Sequence, residues 1–267
     1  MGETSRIVRA WRLLRLGLHI LRGVLTAFLV LPWGSPGLRR TLTQEWSRSL
    51  LALLGVRLEI RGNPPDAASR NVLLVSNHVS WLDIYLLNSV RPLRFVSKAE
   101  VRTWPVVGWL AVFTGTLFLE RGKRRDTARV NDAVSSALAS GDCVAFFPEG
   151  TTTDGTHLKP FLSSLLQAAV NAESTLQPVA LRYLLPDGGA DMAAAYYGDM
   201  SMMDSLRNIL ARKEIRAELV FLDPISTGGK HRRELARQAE QAISSALHPA
   251  SPRTKPGTAG DPPAAAR

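Results

Sequence analysis

The feature that most constrains the fold is a regular alternation of short strand-like runs and longer amphipathic runs from residue 56 onward. Apolar runs rich in β-branched and aromatic residues, bounded by turn residues, predict strands. These strands lie at 56–61, 71–76, 93–98, 116–121, 143–148, 178–183, 193–198 and 217–222. Helices are predicted at 80–89, 104–112, 126–140, 161–172, 201–212 and 232–247. The alternation predicts an α/β domain with a mixed, largely parallel central sheet flanked by helices.

Residues 1–54 precede this pattern and predict two helices. The first, within 6–33, has a basic stripe on one side and an apolar stripe on the other. The basic stripe comprises Arg12, Arg15, His19 and Arg22, and the apolar stripe comprises Leu14, Leu18, Leu21 and Leu25. The second helix, 38–54, is ended by Gly55. Because a cationic stripe suits anionic headgroups and an apolar stripe suits acyl chains, the pair is predicted to associate with a membrane.

The N-terminal segment also admits other interpretations. The uncharged stretch 23–33 is much shorter than the ~20 residues that span a bilayer. No small-residue cleavage pattern follows it, which disfavours a signal peptide. A helical hairpin packed on the protein's own core remains open. The predicted organisation is membrane-associated helices over 1–54, the α/β domain over 55–247, and a disordered, proline- and alanine-rich tail over 248–267.

The stretch SNHVSWLD, residues 76–83, places an imidazole and a carboxylate directly after a predicted strand. A structural interpretation exists, because Ser80 and Asp83 fit the S-x-x-D cap of a helix starting near Trp81. A catalytic interpretation also exists, because ligands of open α/β sheets bind beyond the carboxyl ends of strands. There, Asp83 can orient the ring of His78 and leave its second nitrogen free to accept a proton.

Two further motifs follow later strands. Arg121 ends the run GTLFLER, and its planar guanidinium suits a phosphate or carboxylate, although a solvated strand end is the ordinary alternative. Glu149, Gly150 and Thr151 lie in FFPEGTTTDG, where exposed amides and hydroxyls could hold a polar group. The alternative there is a plain proline–glycine turn. Three such motifs at successive strand ends favour a functional site over either alternative.

No residue near these motifs predicts an activated nucleophile. Ser80 is the expected helix cap, and Cys143, the single cysteine, lies in a run that predicts a buried strand. One cysteine also excludes an intramolecular disulfide framework and a Cys-rich zinc site. The residues therefore favour direct attack by a substrate hydroxyl over a covalent enzyme intermediate.

The formal charge of +10 calls for an anionic neighbour. No DNA-binding motif or aromatic-studded basic strand is present, so lipid is favoured over nucleic acid. The cluster RGKRR at 121–125 could contact an anionic partner. A solvated charged loop is the alternative for Lys123, Arg124 and Arg125.

In this order the motifs resemble the four-block pattern of the glycerolipid acyltransferase family. NHVSWLD, GTLFLER, FPEGTT and QPVA at 177–180 match the blocks, and SKAEVRTWPVVGWL at 97–110 resembles the lysine-containing link after the first. The resemblance covers about residues 55–225. It implies a thioester-dependent O-acyltransferase that needs no metal or other cofactor and forms no acyl-enzyme.

The resemblance also implies roles for individual residues. His78 would be the general base, and Asp83 would orient it and stabilise its imidazolium. The implied substrate-binding residues are Lys98, Arg121, Glu149, Gly150 and Thr151. The implied location is the cytoplasmic face of a bacterial inner membrane, as a monotopic protein or with a single N-terminal anchor.

The predicted reaction is transfer of a fatty acyl group from acyl carrier protein or coenzyme A to the free hydroxyl of a lysolipid, with 1-acyl-glycerol-3-phosphate as first candidate. Thr152 stands where many lysophosphatidate acyltransferases have a basic residue, and losing that cation should weaken binding of a phosphomonoester. The form EGTT-x-DG resembles members that act on lyso-ornithine lipid or other lysolipids. From another class, a non-catalytic lipid-binding protein remains the alternative.

Overall fold

The computed structural model describes residues 3–120 and 124–248. Two long helices come first, α1 (Arg6–Leu29) and α2 (Pro36–Leu54). The strands are β1 (Val56–Gly62), β2 (Val72–Ser76), β3 (Arg94–Lys98), β4 (Leu117–Leu119), β5 (Cys143–Phe146), β6 (Thr175–Leu184), β7 (Ile215–Phe221) and β8 (Ile225–Ser226). The remaining α-helices are α3 (Leu82–Val90), α4 (Val107–Phe113), α5 (Arg124–Ala139), α6 (Gln167–Asn171), α7 (Met202–Ala211) and α8 (Arg232–Leu247).

The described strands form one mixed sheet in the order β1-β7-β6-β2-β5-β3-β4, with β8 paired to β6. Five neighbouring strands, from β6 to β4, run parallel to one another, whereas β7 is antiparallel to β6. The carboxyl ends of β2, β3, β4 and β5 therefore meet at one edge of the sheet. The motifs singled out in the sequence follow these four strands.

Helices cover both faces of the sheet because successive strand residues point to opposite sides. Val72 and Leu74 of β2 pack with the α2, α3 and α7 side, and Leu73 and Val75 pack with the α5 and α8 side. All four side chains are at most 5% exposed. A fully buried leucine or valine contributes roughly 1.5–3 kcal/mol, so the central strands anchor both layers. The α/β prediction is confirmed.

Some predicted elements were wrong. The run 193–198 is not a strand: a short 3₁₀ helix, Met192–Ala194, forms instead. The Asp191 side chain accepts the Ala193 N–H at 3.0 Å, and the Tyr196 N–H bonds to Val79 rather than to a strand. The sequence also missed β8, which is too short for a recognisable alternation.

The predicted helix 161–172 is shorter than expected, with a 3₁₀ turn at Ser164–Leu166 that leads into α6. Its predicted first turn is lost because those amides bond elsewhere. The Phe161 N–H donates to the Glu240 carboxylate at 2.7 Å, and the Leu162 N–H donates to the Pro148 carbonyl at 2.9 Å. Contacts between distant segments therefore override the local helical pattern.

Helix α1 packs on the protein with part of its predicted basic stripe, whereas Arg15 and Arg22 of that stripe are exposed. Arg12 donates to the backbone carbonyls of Arg212 and Lys213, and His19 is buried against the ring of Trp46 at 4.6 Å. Gly23 permits this approach, because a Cβ there would lie 2.5 Å from the Trp46 Nε1. These residues serve α1–α2 and α1–α7 packing, so the prediction that Arg12 and His19 face lipid was wrong.

The apolar stripe of α1 faces outward. Leu14, Leu18, Leu21 and Leu25 are 50–58% exposed. Helix α4 continues this surface, because Phe28 of α1 contacts the rings of Trp109 and Phe113 edge-on. Trp109 and Val112 are also exposed, and with Phe28 and the four leucines they form what we call the outer apolar surface. Within residues 3–120 and 124–248, no helix is both long and apolar enough to cross a membrane.

Candidate active site

The loop after β2 carries His78 and is fixed by its neighbours on both sides. The Asn77 side chain exchanges two hydrogen bonds with the backbone of Leu181 on β6, at 2.8 and 2.9 Å. The His78 carbonyl accepts the Thr153 N–H at 2.8 Å, and the Val79 carbonyl accepts the Tyr196 N–H. Because these bonds tie the loop to β6, the EGTT turn and the segment after β6, the imidazole has a defined position.

His78 and Asp83 form the hydrogen-bonded pair expected from SNHVSWLD. His78 Nδ1 lies 2.8 Å from Asp83 Oδ2, and Asp83 is completely buried. The same oxygen accepts the N–H groups of Val79 and Ser80 at 2.7 and 2.9 Å. Since a carboxylate acceptor places the proton of neutral imidazole on Nδ1, the unprotonated Nε2 remains free to act as a base.

Ser80 lies beside the start of α3, but Trp81, and not Ser80, is the N-cap residue, and it makes no side-chain capping bond. The Ser80 hydroxyl accepts the Leu82 N–H at 3.3 Å, while its own N–H donates to Asp83. Helix α3 begins at Leu82, and Asp83 lies in its first turn, where a negative charge is favourable. A structural and a catalytic role of this segment are thus compatible, because the helix start itself positions the carboxylate.

The second oxygen of Asp83 has a partner that the sequence did not suggest. The Tyr183 hydroxyl, on β6, donates to Asp83 Oδ1 at 2.7 Å. Burial, followed by the negative charge of Asp83, raises the pKa of Tyr183 well above its ordinary value. Tyr183 therefore stays a hydrogen-bond donor over the working pH range. It lies in the predicted strand 178–183, but a tyrosine in an apolar strand is an ordinary core residue and gave no separate signal.

The loop after β5 supports His78 from the other side. The Phe147 ring stacks on the imidazole with centroids 3.8 Å apart and planes 5° from parallel. Glu149, which is 6% exposed, accepts the His78 N–H at 2.7 Å and the Lys159 N–H at 2.8 Å. Because its two oxygens accept these backbone amides, Glu149 joins the loop of His78 to the segment after β5.

Burial of Glu149 disfavours the charged form of its carboxyl group. Burial raises the pKa of this carboxyl above its ordinary value, and the two backbone N–H donors and His78 oppose the rise only in part. The Glu149 carboxylate nevertheless connects the backbone of His78 with the backbone of Lys159. The sequence analysis placed Glu149 among the residues of the acceptor site. In the structure its carboxylate bonds to two backbone amides, and the residue is not on the cavity wall.

A cavity of about 860 Å³ opens at His78. Its apolar walls come from α1, α2, α3, α4 and the segment after β5, and they include Leu16, Trp46, Tyr85, Leu110 and Leu165. The volume lies in the range of ligand sites, roughly 300–1,000 Å³. An imidazole whose Nε2 is free, beside an apolar cavity, is suited to removing a proton from the hydroxyl of a lipid-like molecule.

The structure places most of the predicted binding residues around this cavity. Lys98, Gly150 and Thr151 line it, together with Thr152. Arg121 lies outside the described residues, as does Lys123 of the basic cluster. Arg125 is exposed in the first turn of α5. Cys143 is a free, buried cysteine at the start of β5, as predicted.

No group of three or more His, Cys, Asp or Glu side chains in the described ranges could hold a metal ion.

Phe147 was also missed by the sequence reasoning as a site residue. Its signal was available, since it directly precedes the Pro-Glu-Gly turn that follows β5, but only the structure shows its ring against His78.

The chain is similar to known acyltransferases. A family model described as Acyltransferase matches residues 57–182, which include the whole loop 77–83 and the EGTT turn. The lyso-ornithine lipid O-acyltransferase of Pseudomonas aeruginosa is 40% identical over 252 residues, covering 92% of this chain and 95% of that protein. The 1-acyl-sn-glycerol-3-phosphate acyltransferase of Neisseria meningitidis is 37% identical over 189 residues, covering 71% of this chain and 73% of that protein.

The fold also matches a solved structure. The crystal structure of the 1-acyl-sn-glycerophosphate (LPA) acyltransferase PlsC from Thermotoga maritima superposes with a TM-score of 0.67, covering 91% of this chain and 94% of that one, at 19% identity. The family model covers the loop of His78 and Asp83, and the Pseudomonas relative is similar over nearly the full length of both chains. The chain therefore belongs to the acyltransferase family and is an acyltransferase.

Proposed function

We propose that this enzyme transfers a fatty acyl group from an acyl thioester to the free hydroxyl of a lysolipid. The observation that carries the proposal is the buried Asp83–His78 pair at the wall of an apolar cavity. His78 Nε2 takes the proton of the acceptor hydroxyl as that oxygen attacks the thioester carbonyl. The tetrahedral oxyanion collapses to an ester and a thiolate, which takes the proton from the imidazolium. Asp83 stabilises the positive charge on the ring between these two steps.

The acceptor we favour is lyso-ornithine lipid. Two relatives with this acceptor in their names support it, from Pseudomonas aeruginosa and, at 35% identity over 230 residues, from Brucella abortus. The residue after Gly150-Thr151 supports it too. Thr152 lines the cavity without a charge, where a cation would strengthen binding of a doubly charged phosphate. The ornithine headgroup has no phosphate and does not need that cation.

The second candidate acceptor is 1-acyl-glycerol-3-phosphate, which the name of the Neisseria relative contains. Lys98 on the cavity wall would suit its phosphate, and Arg121 in the GTLFLER motif would supply a second cation. For either acceptor, Gly150 and Thr151 would contact the polar part of the lipid. Acyl carrier protein and coenzyme A are both compatible donors, since each presents the acyl chain as a thioester.

The proposed location is the cytoplasmic face of a bacterial inner membrane, with the outer apolar surface against the bilayer. Leu16 and Ile20 on α1, and Val107 and Leu110 on α4, line the cavity, while the other sides of both helices are exposed and apolar. The same two helices would thus separate the cavity from lipid. Arg15 and Arg22 are exposed on α1 and would meet anionic headgroups.

The test is acyl transfer by purified wild type and His78→Ala with labelled acyl thioesters and a panel of lysolipids. Loss of the general base should reduce kcat by roughly 10²–10⁴-fold. His248→Ala, which changes the residue after α8, is the matched control and should keep wild-type activity. Equal transfer by His78→Ala and wild type would refute the catalytic assignment. Failure of wild type on every acceptor would instead favour a lipid-binding protein without catalysis.

A further inference from the structure

The cavity has two opposite charges near the end of β3. Of the described residues that line it, Lys98 is the only lysine or arginine and Glu100 the only acidic residue. Lys98 is the last residue of β3, and Glu100 follows two positions later in the 3₁₀ helix Ala99–Thr103. Two residues span at most about 7 Å of chain, so the two side chains start close together on the wall of the same cavity.

Neither charge is neutralised by the described part of the protein. No ion pair there involves Lys98 or Glu100, and both residues are exposed. The nearest basic residue in sequence after Glu100 is Arg102, whose guanidinium lies over the Phe118 ring at 5.9 Å. The 3₁₀ helix itself is held by the Thr103 hydroxyl, which donates to the Glu100 carbonyl at 2.8 Å.

A carboxylate in this position has a consequence for the acceptor. Glu100 repels a phosphomonoester, whereas it attracts a primary ammonium group. An ornithine headgroup acylated on its α-nitrogen presents one carboxylate and one side-chain ammonium. Lys98 complements the first and Glu100 complements the second, so the pair matches a zwitterionic amino-acid headgroup better than a phosphate.

We propose that Glu100 is a specificity-determining residue that binds the side-chain ammonium of an amino-acid-headed lysolipid while Lys98 binds its carboxylate. This assignment rests on the proposed lysolipid acyltransferase function and names the chemistry that selects its acceptor. Lys98 does not discriminate, because an anion is present on both candidate acceptors. Glu100 does, because only one candidate carries a cation.

The experiment compares lyso-ornithine lipid with the same lipid acetylated on its side-chain nitrogen, which removes the positive charge. In wild type, acetylation should lower kcat/KM about fivefold, the size of one partly exposed ion pair. In Glu100→Gln, kcat/KM for the charged lipid should fall to the value of the acetylated one. For 1-acyl-glycerol-3-phosphate, Glu100→Gln should raise kcat/KM, since a like charge has been removed.

Glu173→Gln is the matched control, because Glu173 is exposed and precedes β6 at the opposite edge of the sheet. It should keep the wild-type preference for the charged lipid. The proposal is overturned if acetylation has no effect in wild type, or if it costs the same in wild type and Glu100→Gln. Absence of transfer to any lysolipid would contradict the proposed function itself, so the two failures are distinguishable.

Discussion

The loop of residues 77–83 and the outer apolar surface lie on opposite sides of the cavity wall and are built in opposite ways. In the loop, Asp83 is fully buried and both of its oxygens accept hydrogen bonds from fixed donors. On the outer surface, Leu18 and Trp109 are more than half exposed. The polar groups of the loop are hydrogen-bonded inside the protein, whereas the apolar side chains of the outer apolar surface are exposed.

The difference fits two physical requirements of the function and location proposed above. A general base needs one defined orientation, which a buried network of hydrogen bonds provides. A surface that meets lipid gains free energy from apolar area that the protein itself does not cover. Substitutions in the two regions should therefore change different quantities. Changes in the loop should reduce kcat, and changes on the outer apolar surface should reduce membrane binding.

The largest effect is expected from Asp83→Asn. An amide keeps the size of the side chain but replaces one acceptor oxygen with a donor, so it cannot accept all the N–H and O–H groups that Asp83 now accepts. We expect kcat to fall by about 10³-fold, measured with saturating acceptor and thioester. Asp132→Asn on the exposed side of α5 is the control. Wild-type turnover by Asp83→Asn would remove the orienting role.

A smaller effect, on a different measurement, is expected when Leu14, Leu18 and Leu21 are replaced together by Ser. Each leucine would lose about 1 kcal/mol of burial in lipid, so binding to anionic vesicles should weaken roughly 100-fold in a sedimentation assay. The melting temperature should change little, because these side chains are already exposed. Ile60→Ser, at an exposed position of the edge strand β1, should leave vesicle binding intact. Unchanged sedimentation of the triple variant would contradict the proposed membrane contact.

Tyr183→Phe tests the far end of the hydrogen-bonded network. The variant leaves Asp83 Oδ1 buried without its donor, at a cost of roughly 1–3 kcal/mol. We expect kcat to fall about tenfold with an unchanged KM for the acceptor, because Tyr183 acts through Asp83 and does not line the cavity. Tyr197→Phe provides the control at a partly exposed hydroxyl. An effect confined to KM would mean that Tyr183 acts on acceptor binding instead.

The smallest effect concerns the pH dependence of stability at Glu149. Because burial raises the pKa of this carboxyl above its ordinary value of 4.5, the folded state holds the proton more tightly than the unfolded state. The associated stability is fully present below pH 4.5 and is lost as the pH rises through the folded-state pKa. In Glu149→Gln this loss should be absent, which predicts a difference of a few degrees in melting temperature between acid and neutral pH. Parallel melting curves for both proteins would contradict the assignment.

Much of the fold could be predicted because its signals are local. The strands at 72–76 and 143–146 are short apolar runs bounded by turn residues, and α8 was predicted with its observed bounds. His78 and Asp83 were predicted as a pair because five positions span a strand end and a first helical turn. Residues this close in sequence, at a strand end and a helix start, can be expected to lie near each other in the fold.

The remainder depends on contacts that no local pattern contains. Tyr183 joins Asp83 only because β6 lies parallel to β2 in the sheet, and Glu149 turns inward only because the His78 amide is there to donate. The orientation of α1 followed the same rule. Its basic and apolar stripes were visible in the sequence. Only the structure shows that His19 packs on Trp46 and that Arg12 donates to the carbonyl of Arg212.

The bonds that hold the loop of residues 77–83 join residues far apart in the chain: Asn77 and Leu181 are 104 positions apart, and Asp83 and Tyr183 are 100. Closing such long loops is entropically costly, so these contacts form only when β2 and β6 have paired. During synthesis, α1 and its exposed leucines emerge more than 150 residues before Tyr183. With the membrane contact and the general base proposed above, a nascent chain would reach a lipid surface well before His78 and Asp83 are assembled for catalysis.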